Sequence, residues 1–209
     1  MTGTAPRTVR RLGSPAATAL ADLAAVFEDL QTVLLCCERL VAELSRGEPE
    51  PVVVEGLWTT ALLSYARCFT PGDRGMGLTD DDVTAVELQG EVLAWHRMLR
   101  RLREHVADPG TNPRESFTVG VAVDDGRPVG VAITSTRQAM VDHQTVRQTG
   151  ALAYALHQRV DRRIAEHQET VLRGAEALSA AELTPLDEIE ISDDATGAGP
   201  AANGNGEAP

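Results

Sequence analysis

The stretch 116–135, SFTVGVAVDDGRPVGVAITS, decides the fold because the hydrophobic period changes there. Large apolar residues alternate with smaller ones on both sides of DDGR at 124–127, a pattern typical of two strands joined by a tight turn. Before and after this stretch, apolar residues recur at helical spacing. The sequence therefore predicts one β-hairpin, at about 116–134, in an otherwise helical chain. We expect the Val/Ile face of this hairpin to pack on the helices.

Three helices are predicted before the hairpin and one after it. Ser14 is a good N-cap for the first helix, and Pro15 suits its first turn. Thr79 caps the third helix, where Asp80 and the acids after it match the positive end of the helix dipole. The predicted fold class is mainly α: a four-helix bundle over 14–183, with the hairpin between the third and fourth helices. The first two predicted helices cover 14–47 and 52–69, the third starts at 79 and carries an apolar stripe as far as 106, and the fourth covers about 142–178.

Composition sets the expectations for the chain ends and the environment. The net charge of −12 does not favour general attraction to nucleic acid. Residues 1–13 and the acidic, Gly/Ala-rich segment 184–209 are predicted to be disordered. No apolar run is long enough for a membrane helix, so no membrane contact is expected. The cysteines lack metal-site spacing, which predicts reduced, buried thiols, a cytoplasmic location, and neither metal nor cofactor.

The stretch 99–113, LRRLREHVADPGTNP, carries the candidate chemistry. Arginines crowd the end of the predicted third helix and are followed by His105 and a Pro/Gly/Asn-rich stop. One interpretation is a solvated helix end, since cations are favoured near a helix C-terminus. Another is a structural polar cluster between helices, in which His96 and Arg103 meet Tyr65 and Arg67. The third is a nuclease site.

A family resemblance bears on the third interpretation. LWTTALLSYARCFTPGDR at 57–74 and WHRMLRRLREHVADPGTNP at 95–113, followed by a hairpin, resemble a set of bacterial helical proteins. Those proteins have a Y-x-R-x-F helix, a G-x-R loop and a third helix that ends in an Arg/His run. They are similar to the HEPN superfamily of four-helix bundles, often found in toxin and anti-phage systems. The resemblance covers roughly 55–175.

The resemblance implies a site and a dimer. In catalytic HEPN proteins an R-x4–6-H motif cleaves RNA without metal, and two protomers bring their motifs together. Histidine can remove the ribose 2′-OH proton, and arginine can neutralise the charge that develops on phosphorus. Arg103 and His105 match the family arginine and first histidine, whereas Asp108 replaces the second histidine. The residues matched as candidate binding groups are Arg67, Arg74, His96, Arg100 and Asn112.

Two function classes remain open at this stage. The first is a HEPN-like interaction protein, homodimeric, without enzymatic activity, that binds a partner protein or RNA in a defence or toxin–antitoxin setting. The second is a metal-independent ribonuclease. Arg100 with His105 satisfies the R-x4–6-H spacing, but this spacing alone does not decide between the classes, because Arg137 with His143 and Arg162 with His167 also satisfy it. A small-molecule sensor is a third class, for which the sequence shows no pocket signature.

Overall fold

The computed structural model describes residues 8–69 and 74–190, which are mainly helical with small antiparallel strand pairs. The hairpin predicted at 116–134 is present and slightly longer than expected. The helices are α1 Pro15–Leu44, α2 Pro51–Cys68, α3 Asp80–Thr84, α4 Val92–Ala107, α5 His143–Glu176 and α6 Ala180–Leu183; the strands are β1 Val9–Arg10, β2 Glu115–Asp124, β3 Arg127–Arg137 and β4 Glu188–Ile189.

Helix boundaries follow the capping residues. The Ser14 side chain accepts the Ala17 amide hydrogen bond at the start of α1, and Asp142 accepts that of Thr145 at the start of α5. Pro51 occupies the first turn of α2, where the missing N–H costs nothing. The predicted starts of the first and fourth helices are therefore confirmed.

The third predicted helix is wrong in one respect, because it is two helices. Thr79 and Asp82 form a reciprocal capping box, but α3 ends at Thr84 and α4 begins only at Val92. Gly90, in the connection, has a φ of +95°, which is accessible to glycine and breaks a helix. Periodicity in the sequence runs across this break because both helices face the same core.

Helix α1 is the centre of the packing. It contacts α5 along one side and α2 along the other, and α2 in turn packs against α4. Its fully buried stripe consists of Leu23, Val26, Leu30, Val33 and Leu40. All of these side chains except Leu23 belong to one apolar core with residues of the other helices, and Trp58 and Trp95 lie partly buried against it.

Each of the two segments predicted to be disordered contains a short strand in its described part. Val9 and Arg10 pair in antiparallel register with Ile189 and Glu188. Arg10 donates to the Leu186 carbonyl at 2.7 Å and forms an ion pair with Glu188 at 2.9 Å. One arginine thus connects β1 to β4 and to the residues just before it. Residues 1–7 and 191–209 lie outside the described part of the chain.

The expected packing of the hairpin on the helices is wrong. Every residue from Ser116 to Arg137 is exposed, on both faces of the β2–β3 ribbon. The register is regular from Glu115–Arg137 to Ala122–Gly130, with a bulge before Val123. Asp125 and Gly126 have φ of 45° and 75°, the two positive values that a type I′ turn requires. The hairpin therefore projects from the body as an arm.

Candidate functional site

The candidate residues lie along α4 and at the end of α2, and they do not form one site. His96 is in the first half of α4 and Arg100 is just past its middle, whereas Arg103 and His105 are near its end and Asp108 follows it. The step of twelve positions from His96 to Asp108 corresponds to about 18 Å along a helix axis. The candidates therefore divide into separate groups.

Arg103 and His105 are both exposed at the C-terminal end of α4. Residues two apart on a helix point in different directions, so these two side chains do not face each other. Neither side chain makes a hydrogen bond or an ion pair with the described residues. Arg103 therefore does not join the expected polar cluster with Tyr65 and Arg67. Both groups are open to solvent.

Asp108 and Asn112 build the turn after α4. Asp108 accepts hydrogen bonds from the Thr111 hydroxyl at 2.7 Å and the Gly110 amide at 2.9 Å. These bonds hold the pKa of the Asp108 carboxyl below its usual range, with the Thr111 bond the larger cause. Asn112 accepts from the Arg114 and Glu115 amides. Both side chains thus fix the base of the hairpin.

Arg67 and Arg74 converge on Asp29 of α1. Two guanidinium nitrogens of Arg67 donate to one Asp29 oxygen, at 2.9 and 2.6 Å, and Arg74 donates to the other at 3.1 Å. Asp29 is only 7% exposed. Two helical turns before Asp29, the Asp22 carboxylate accepts hydrogen bonds from the backbone amides of Gly75 and Met76. The acids of α1 therefore hold the end of α2 and the segment that starts at Arg74.

His96 is fully buried beside Tyr65. The Tyr65 hydroxyl lies 2.8 Å from Nδ1 of His96, and Nε2 lies 3.4 Å from an oxygen of Asp80, beyond good hydrogen-bond geometry. A carboxylate only accepts, so the ring proton belongs on Nε2 and Nδ1 accepts from Tyr65. Burial lowers the pKa of His96, and Asp80 opposes that effect only in part. His96 is therefore a neutral core residue that contacts Tyr65, as the structural interpretation expected.

A cavity of about 520 Å³ opens beside this pair. Asp80 and Arg100 are its charged lining residues, and Phe69 and residues 75–79 complete the described wall. A second cavity, of about 390 Å³, lies between the connection before α4 and α5, lined by Trp95, Met98 and Leu152 among others. Nε1 of Trp95 is buried there without a hydrogen-bond partner. Neither cavity was predicted from the sequence.

Sequence reasoning also missed two buried acids that organise the arginines. Asp29 gathers the pair described above. Asp82, which is 8% exposed, accepts a hydrogen bond from Arg159 at 2.8 Å and lies 3.6 Å from Arg163. Asp29 occupies a position in the apolar stripe of α1, between Val26 and Val33. A charged residue in such a stripe is a signal that could have marked it.

The hairpin carries the main exposed apolar surface of the described chain. Seven of its large apolar side chains are between 59% and 73% exposed. Other exposed large apolar residues, such as Val52 and Tyr154, are scattered over the helices. Contiguous exposed apolar patches of this kind mark interaction sites in soluble proteins. The seven residues are Phe117, Val119, Val121, Val123, Val129, Val131 and Ile133, and we call them the hairpin face.

The cysteines are poor nucleophiles. Cys36, Cys37 and Cys68 are buried, as predicted. Burial raises the pKa of Cys37 and of Cys68 to about 12, and it also raises that of Cys36. Since the thiolate is the reactive form, all three thiols are inert near neutral pH.

Within residues 8–69 and 74–190, no three His, Cys, Asp or Glu side chains are grouped so that they could hold a metal ion. No helix in these ranges combines the length and apolar character needed to cross a membrane. The chain matches no protein-family model, no curated protein and no solved structure.

Proposed function

We propose that this chain is a non-enzymatic interaction protein with a HEPN-like helical framework and an arm that binds another polypeptide. The order of the long helices α1, α2, α4 and α5, with a hairpin before the last, supports the HEPN-like bundle. In this proposal the helices are a rigid support, and binding takes place on the hairpin. A defence or toxin–antitoxin setting remains the biological context that the resemblance suggests.

The exposed hairpin face carries this proposal. A two-stranded hairpin is at best marginally stable alone in water, and three strands or a packed surface are normally needed. Here the strands are 10 and 11 residues long, and their apolar residues face solvent. Another polypeptide that covers the apolar face would supply the packed surface that an arm of this length needs to be stable.

The geometry of α4 supports the absence of catalysis. The pair aligned with the family motif, Arg103 and His105, diverges on the helix, and the third position, Asp108, is engaged in a turn. An acid at that position is also unfavourable next to a phosphate. The chemistry described for the motif needs a base and a cation that converge on one phosphate.

Partner retention by two paired variants tests the interaction proposal. The paired variant Val121→Thr/Val131→Thr reduces the apolar character of the hairpin face while keeping β-branched side chains. Its control, Thr118→Ser/Thr134→Ser, changes the opposite face of the same strands. We expect the tagged full chain and the control to retain a protein partner, or a differently tagged second copy, that the Val variant loses. Identical binding by both variants would refute the proposal.

The alternative function, a metal-independent ribonuclease, is favoured by one observation. Arg101 lies one turn before His105, so these exposed side chains share a face of α4. Labelled RNA should be incubated with the protein and EDTA, beside Arg101→Ala, Arg103→Ala and His105→Ala variants. Our proposal predicts no cleavage by any of them. Cleavage by the wild type that is lost in the His105 variant and in either arginine variant would replace our proposal with the ribonuclease.

A further inference from the structure

The two faces of the β2–β3 hairpin have different chemistry. Directly paired residues point to the same face of an antiparallel ribbon. Val119 pairs with Ile133 and Val121 with Val131, and Phe117 is on the same face two residues before Val119. Val123 and Val129 extend this face around the bulge. One side of the ribbon is thus apolar from Val119 to the turn, whereas Ser135, opposite Phe117, and the Glu115–Arg137 pair lie on the same side nearer the base.

The opposite face is made of small and polar residues. Thr118 pairs with Thr134, Gly120 with Ala132, and Ala122 with Gly130. These residues can remain in water at little cost, whereas exposed Val and Ile side chains are unfavourable there. The hairpin is therefore amphipathic, with one face suited to burial.

The rest of the chain does not cover the apolar face. β2 and β3 pack extensively on each other, and no other described element packs comparably on either of them. Contact with the body is limited to the base, where Arg114 donates to Glu55 at 2.8 Å. A strand rises about 3.3 Å per residue, so the ribbon extends about 30 Å from this base.

We infer that a second copy of this chain covers the hairpin face, with the two hairpins stacked face to face about a two-fold axis. This inference rests on the proposed interaction function and names the partner. The seven side chains of the hairpin face expose on the order of 700 Å² in total, close to the roughly 800 Å² that each partner contributes to a standard interface. An identical face is a suitable partner because its apolar residues cover apolar residues, while Ser135 and the Glu115–Arg137 pair lie at the base end of the ribbon.

Charge favours one relative direction of the two hairpins. The turn carries Asp124, Asp125 and Arg127, a net charge of −1, so a parallel arrangement would bring two turns of like charge together. In the antiparallel arrangement each turn lies over the base of the other hairpin, where Arg137, whose side chain is 86% exposed, pairs with Glu115 at 3.4 Å. The antiparallel stack also places the two helical bodies at opposite ends, because each hairpin projects from its own body.

Cross-linking through a single introduced cysteine tests this arrangement. The three native thiols are buried, so a cysteine placed on the hairpin reacts far faster with a short bis-maleimide. Val121→Cys lies in the middle of the hairpin face, and Thr118→Cys is its control on the opposite face of the same strand. We expect Val121→Cys to form covalent dimer at least roughly tenfold faster at micromolar protein, because stacking gives the thiols a millimolar effective concentration.

Sedimentation supplies the second readout. We expect the wild type to sediment as a dimer and Val121→Thr/Val131→Thr as a monomer with unchanged helicity by circular dichroism. A monomeric wild type, equal cross-linking of the two cysteine variants, or a dimer that survives the Val variant would each overturn the inference. In each of these cases the proposed function still stands or falls separately, by partner retention and by the RNA assay. Face-dependent retention of another protein by a monomeric wild type would identify a different occupant.

Discussion

Replacement of Tyr65 by phenylalanine tests the buried contact between α2 and α4. Tyr65 is 1% exposed and His96 is fully buried, and the hydroxyl is 2.8 Å from Nδ1. The substitution removes one oxygen and leaves the rest of the ring in place against Phe69, whose centroid is 5.0 Å away. Its main consequence is a buried imidazole nitrogen that has lost its hydrogen-bond partner.

The size of the effect follows from that loss. A buried group left without its partner costs about 1–3 kcal/mol, whereas removal of both partners is much less costly. His96→Leu alone leaves the Tyr65 hydroxyl unpaired and also removes the ring contact with Phe69 at 4.3 Å. The double variant Tyr65→Phe/His96→Leu removes both polar groups, so that neither is left buried without its partner. We therefore expect it to be more stable than the sum of the two single effects predicts, by about 1–2 kcal/mol.

Urea unfolding followed by circular dichroism measures these free energies. It should be done at about pH 8, where His96 is neutral in both the folded and the unfolded chain. The matched control is Leu99→Ala, a buried site without a polar partner on α4, the helix of His96. Its effect on the free energy of unfolding should add to that of Tyr65→Phe. If the Tyr65 and His96 effects are also additive, the hydrogen bond contributes nothing and the reasoning fails.

Three further outcomes follow. Burial lowers the pKa of His96 and of His157 below 6.5, so the unfolded chain takes up protons first as the pH falls. The free energy of unfolding should be fully present above about pH 7 and should decrease by about 1 kcal/mol towards pH 5.5; a flat urea-midpoint profile for the wild type would contradict this. Asp82→Asn weakens the bond to Arg159 and should cost about 2 kcal/mol in urea unfolding, whereas the exposed neighbouring Asp81→Asn should change stability by less than about 0.5 kcal/mol; equal effects would be inconsistent with the ion pair. Truncation after Leu183 removes β4, and calorimetry should show a melting temperature only about 2–4 °C lower; loss of helicity would show that the C-terminal segment supports the core.

The sequence predicted those parts of the fold that depend on local chemistry. The β-turn at Asp125–Gly126 and the caps at Ser14 and Asp142 each satisfy a local backbone requirement, so a short window is sufficient to find them. The break at Gly90 was missed because the apolar period continues across it. The burial of the hairpin was wrong for a related reason: alternation shows that a face is suited to burial, but not which surface covers it.

The candidate site was predicted less well than the fold. The match to the family motif assigned Arg103 and His105 to one site. Side-chain direction on a helix follows the 3.6-residue period, however, so two side chains that are two residues apart do not face each other. The contact between Tyr65 and His96 was anticipated because both lie near apolar stripes. The ion pair of Arg67 was not predicted, because its partner Asp29 is 38 residues away on another helix. Long-range pairing of this kind leaves no local pattern.

The central position of α1 has a consequence for synthesis of the chain. α1 leaves the ribosome before the helices that pack on it, but α5, which covers one of its sides, is complete only after a further hundred or more residues. At translation rates of about 5–20 residues per second, the roughly 115 residues between Leu44 and Val160 take about 6–23 seconds. During that interval Leu23, Val26 and Leu30 can be sheltered by α2 alone. A nascent chain with only the first two helices thus exposes the apolar side of α1 that α5 later covers, and it is at this stage that holding by a chaperone would matter most.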